Sequence, residues 1–184
     1  MTVAELLKPT YRQMLSALAA WLRKAREQRD GDADALMAAR LAPDMFPLAT
    51  QVRFACLQAH EGVYRLRREA FPPTLDALAQ EGRRCAEQPG TLADALSRID
   101  EALAFLDADV DDAMNRGAGE QVSIELPGGL AFDLDGESYA RDWATPQFYF
   151  HVMTAYALLR KEGVALGKAD YVAHMFKYAR SAGA

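Results

Sequence analysis

The run Gln147 to Arg160, QFYFHVMTAYALLR, constrains the fold most, because it joins a helix start, a cluster of aromatics and one of three histidines in a single span. Thr145 before Pro146 reads as an N-cap with proline at the first helical position, where its missing N–H is harmless. Gly163 then stops the helix after Lys161, so a long helix is expected from Pro146 to about Glu162.

Three further long helices carry a matching apolar stripe. Tyr11, Met14, Leu18, Trp21 and Ala25 recur at helical steps, and Pro9 either starts that helix or kinks a longer one beginning near Thr2. Asp44 reads as the N-cap of a second helix from about Phe46 to Arg68, with Val52, Ala55, Ala59, Val63 and Leu66 on its buried face. Thr91 with Asp94 resembles a capping box ahead of the seam Leu92, Leu96, Ile99, Leu103 and Leu106. After FPPT, residues 71–74, a poorly patterned segment with a possible short helix runs to Gly90.

Between Gln121 and Leu134 the period changes to two. Val122, Ile124 and Leu126 alternate with polar residues, PGG turns, and Leu130, Phe132 and Leu134 continue. This is a β-hairpin whose one apolar face should lie against the helices, since a lone hairpin is marginal in water. DGESYARDWA, residues 135–144, is expected to hold a further short helix and YVAHMFKYAR a C-terminal one, with SAGA frayed. The expected fold is mainly all-α, a four-helix bundle with a small hairpin inserted before the last long helix. Long connections leave room for crossovers, and the helix order stays open.

A chain of 184 residues with 51% hydrophobic content suits one domain over residues 1–184. Its formal charge of −5 argues against a nucleic-acid partner, whose phosphates an acidic surface repels. The basic clusters at residues 64–69 and at Arg83-Arg84 read as solvated helix ends. No stretch reaches the ~20 apolar residues that cross a bilayer, so no membrane partner is expected. Cys56 and Cys85 lack metal-site or disulfide spacing, and the N-terminal residues lack a secretory pattern, so a reduced cytoplasmic protein is the expectation.

The motifs HVMTAYALLRKEG, RLAPDMFPLATQV and GVALGKADY resemble the DinB/YfiT-like superfamily of helical bundles, and most closely the uncharacterised domain-of-unknown-function 1993 (DUF1993) type. The resemblance covers most of the chain and implies no particular reaction. It does imply a position for a divalent metal such as zinc or nickel, held by one histidine of the second helix and two of the fourth. His151 matches the last of these, Gln147 stands where its partner histidine would be, and Gln51 takes the remaining place. Four residues turn a helix by about 400°, so Gln147 and His151 share a face. An amide oxygen is a poor donor for a borderline metal, so a Gln51, Gln147, His151 set is expected to hold metal badly, and no cofactor is expected.

His151 is then expected to be a buried imidazole hydrogen-bonded to Gln147 or Gln51, or part of a small-ligand site. His60 lies about 900° of helical turn from Gln51, on the opposite face, and reads as a rim histidine beside Glu61. The aromatics Phe148, Tyr149, Phe150 and Tyr156 read as core. LPGGL lacks the lysine of a phosphate loop, and residues 107–112, DADVDD, read as a solvated loop rather than a calcium site. Two functions follow: a metal-free ligand-binding bundle or homodimer, or a transferase- or isomerase-like enzyme with His151 holding metal or acting as base.

Overall fold

The computed structural model describes every residue except 30, 109, 127 and 181–184, so the expected fraying of SAGA lies outside the described residues. Helix α1 spans Val3–Gln28, running through Pro9. Its start is fixed by a reciprocal cap: Glu5 N–H donates to Thr2 Oγ1 and Thr2 N–H donates to Glu5 Oε2. Tyr11, Met14, Leu18, Trp21 and Ala25 are all buried, as their spacing requires.

Helix α2, Leu48–Arg67, begins two residues later than expected, with Pro47 rather than Asp44 at the N-cap. An N-cap residue needs an extended backbone, and Pro47 at φ −73° and ψ 170° supplies it without a capping side chain. Helix α3, Pro73–Arg84, is three full turns where only a possible short helix was expected. Only Leu75 and Gly82 of α3 are buried, which explains its faint pattern. Helix α4, Leu92–Leu106, carries the expected Thr91–Asp94 box, with bonds of 2.9 and 3.1 Å.

The acidic run is not all loop. Asp111 and Asp112 open helix α5, Asp111–Arg116, where carboxylates suit the positive end of the helix dipole. Asp107 pairs with Arg12 and Asp111 with Lys8, tying this segment to α1.

Strands β1, Gln121–Glu125, and β2, Ala131–Asp135, pair antiparallel with Val122 opposite Leu134 and Ile124 opposite Phe132. Val122 and Ile124 are buried, but β2 lies largely outside the core and Phe132 leans on Trp143 at 5.7 Å. Only half of the hairpin's apolar face is therefore covered.

The last long helix starts earlier than its sequence suggests. Asp135 caps a one-turn helix α6, Gly136–Ser138, through a 2.6 Å bond from Ser138 N–H. A wide π-turn, Tyr139–Ala144, then runs straight into α7, Thr145–Lys161. Thr145 is thus not an N-cap; its hydroxyl donates to the Ala140 carbonyl at 2.8 Å. The widened turn accommodates Pro146, which cannot donate in a regular ladder. Gly163, at φ +84°, ends the helix as expected. The C-terminal segment is a four-residue helix α8, Lys168–Tyr171, and a tight 3-10 turn, Ala173–Tyr178. Trp21 anchors it, donating to the Asp170 carbonyl at 3.1 Å.

Around the bundle α1 lies between α4 and α7, and α2 lies between the same two on the far side. The first two bundle helices are therefore diagonal, and a crossover is built in. Where they approach across the core, the Tyr11 ring lies over Gly62 and meets Phe148 edge-on at 4.7 Å. The Tyr11 hydroxyl is buried without a hydrogen-bond partner among the described residues. An unsatisfied buried hydroxyl costs about 1–3 kcal/mol, so Tyr11→Phe should stabilise the fold by about 1 kcal/mol. Denaturant unfolding checks this, and a variant less stable than wild type would refute it.

Candidate functional site

Gln51 lies in the first turns of α2 and His151 midway along α7, the two bundle helices that pack most extensively against each other. Gln51 is 2% exposed. Its Nε2 donates to the Phe46 carbonyl at 3.2 Å, and a carbonyl only accepts, which turns Oε1 toward α7. There Oε1 accepts from His151 Nδ1 at 2.9 Å. The neutral imidazole thus carries its proton on Nδ1, leaving the lone pair on Nε2. Nε2 makes no hydrogen bond among the described residues and is not sealed from solvent.

Aromatic edges frame the ring. Phe54 stands 5.4 Å from the imidazole centroid and Phe150 5.2 Å, both near perpendicular, and Phe46 continues the row 5.7 Å beyond Phe54. Burial among them pushes the His151 pKa down to about 4, because desolvation disfavours the cation. Phe150, expected in the core, is 56% exposed, and Phe46 is 42% exposed. Phe148 is core, while Tyr149 and Tyr156 are partly buried against it. Phe46 and Phe54 escaped sequence reasoning because only the closure of α2 on α7 brings them to His151.

Gln147 lies one turn before His151, half-buried, and makes no hydrogen bond among the described residues. Two of the three expected site residues are thus joined and the third is not. The donor set does not fit zinc or nickel. Gln51 Oε1 is engaged by the Nδ1 proton, and among the described residues no three His, Cys, Asp or Glu side chains cluster as metal ligands.

His60 lies on the other side of α2, partly exposed and stacked on Phe105 at 4.3 Å. The Nδ1 of His174 is buried without a partner among the described residues. Cys56 and Cys85 are free and buried, and burial raises the Cys56 thiol to about 12, which makes it unreactive. No helix among the described residues is long and apolar enough to cross a membrane.

Diagonal packing with an inserted hairpin, and a second-helix side chain meeting a last-helix histidine, define a DinB-like helical bundle. The crystal structure of a DinB family member protein from Shewanella denitrificans matches it with a TM-score of 0.72 and 30% identity, covering 98% of this chain and 94% of that one. Within that class, the chain belongs to the family described as domain of unknown function (DUF1993), which matches residues 5–172. A search of curated proteins finds no match.

Proposed function

We propose that this chain is a metal-free member of the bundle class whose His151 edge binds a small ligand. The observation that supports this is the Gln51–His151 bond, which engages the amide oxygen and presents a neutral Nε2 as a fixed acceptor between Phe54 and Phe150. A ligand with an apolar body and one donor group fits such an edge. An enzyme using His151 as general base is less well supported, since a pKa of about 4 makes a weak base at neutral pH. Homodimerisation across the same edge is the second reading, favoured by the exposure of Phe46, Phe150 and Met153.

Protein purified without chelator should carry far less than one equivalent of zinc, nickel or iron by elemental analysis. Stoichiometric metal that disappears in His151→Ala would overturn the metal-free assignment. Sedimentation velocity of the same wild-type sample separates the two remaining readings: a dimer lost in Phe150→Glu places that edge in an interface, and a monomer leaves it free for ligand.

A further inference from the structure

We propose that the cavity between α2, α3 and α4 is a second binding site, fitted to a small, flat, uncharged aromatic molecule carrying one hydrogen-bond donor. It is separate from the His151 edge, because His60 faces away from Gln51 across α2. The cavity holds about 360 Å³, within the range of small-molecule sites. Its walls are His60 and Tyr64 from α2, Leu75 and Leu78 from α3, and Phe105 from α4.

His60 supplies the cavity with a neutral polar group. Its Nδ1 lies 2.8 Å from the Cys56 carbonyl, one turn earlier on the same helix. A carbonyl cannot donate, so Nδ1 carries the proton and Nε2, across the ring, carries the lone pair. Nε2 makes no hydrogen bond among the described residues and is not sealed. Burial lowers the His60 pKa, which keeps the ring neutral. Stacking on Phe105 at 4.3 Å and 25° holds the ring plane, and Tyr64 stacks on the same phenyl at 5.4 Å and 22°. The result is a pre-oriented acceptor in an aromatic wall, which rewards a ligand that supplies a donor.

The charges at the far end argue against an ionic ligand. Arg98 is bonded to Glu81 at 2.9 Å and to Glu101 at 2.7 Å, and Glu81 also holds Arg53 at 3.0 Å. Each carboxylate already has a cation. An incoming anion would have to displace Glu81 or Glu101, and an incoming cation would have to displace an arginine. A phenol or an indole N–H meets neither cost.

The test is an NMR titration of the isotope-labelled full chain with p-cresol, toluene and p-toluate. p-Cresol should bind saturably, shifting the amides of Tyr64, Leu78 and Phe105 and the His60 Nε2 resonance. Toluene, which lacks the donor, should bind roughly five- to tenfold more weakly, the worth of one hydrogen bond, and p-toluate more weakly still. His60→Phe should bring p-cresol down to the affinity of toluene. Failure of p-cresol to saturate, equal affinities for p-cresol and toluene in the wild type, or shifts centred on His151 would each overturn the assignment. The wild-type comparison decides the matter without the variant, and a negative result here leaves the His151 reading untouched.

Discussion

Replacing Gly117 by alanine is expected to destabilise the fold by about 3 kcal/mol, the upper part of the range for forcing atoms into a packed interior. The glycine is required for space rather than for its dihedral angles, since its φ of −79° is open to any residue. A Cβ there would sit 1.9 Å from the Leu66 carbonyl oxygen and 2.9 Å from its carbon. Both are backbone atoms of the last turn of α2, so no side chain can swing aside. Gly136 repeats the demand, with its Cβ position 2.1 Å from the Gly117 carbonyl oxygen. Glu137 N–H then bonds the Ala118 carbonyl at 2.9 Å. Three chain segments, the ends of α2 and α5 and the start of α6, are stacked backbone on backbone at this point. The α6 segment runs on into α7, so the same contact helps set where His151 is carried. Gly119→Ala is the control, with nothing among the described residues within 4 Å of its Cβ position and an expected effect within about 0.5 kcal/mol. For a chain of this length the Gly117 loss corresponds to a fall in Tm of roughly 10 °C. Equal denaturant midpoints for the two variants would refute the close-approach argument.

The bundle was legible where burial is one-sided and local. The α4 seam with its Thr91–Asp94 box, the α1 stripe from Tyr11 to Ala25 and the Gly163 stop depend only on neighbours within a few residues. Thr145-Pro146 misled because a local start signal can be overridden: in the π-turn the Ala140 carbonyl accepts from both the backbone N–H and the hydroxyl of Thr145, and the helix passes through. Helix α3 was faint because so little of it is buried. At the candidate site, helical angles and the family resemblance brought Gln51 and His151 together, yet the same reasoning included Gln147, whose side chain makes no hydrogen bond among the described residues. Angle on a helix fixes a face and not a partner. The Phe46–Phe54 row and the His60–Phe105 stack join residues distant in sequence, and no periodicity within either segment encodes them.

Acidification should expose the burial of His151 as a loss of stability. In the unfolded chain its imidazole titrates near 6.5, whereas in the fold it titrates at about 4. Below the unfolded value the unfolded chain takes up a proton that the native chain refuses, so stability falls as pH drops from 6.5 toward 4. Across that window the loss amounts to about 3 kcal/mol. His60, also lowered by burial, adds loss of the same sign, and Glu81, held down by Arg98 and Arg53, adds its own loss below the usual carboxylate range. Glu61, raised by burial, acts in the opposite sense. His151→Gln removes one contribution and leaves the others, so the difference between the two stability profiles isolates the imidazole. That difference should be flat above pH 7 and should shift in the variant's favour by about 3 kcal/mol by pH 4. A proton NMR titration of the native His151 ring gives the same quantity directly. The functional consequence is that Nε2 remains an acceptor across the neutral range, so a ligand held there should bind with constant affinity from pH 8 down to about pH 5. A native midpoint near 6.5, or profiles that run parallel for wild type and His151→Gln, would mean that the imidazole is solvated and that the aromatic frame does not close around it.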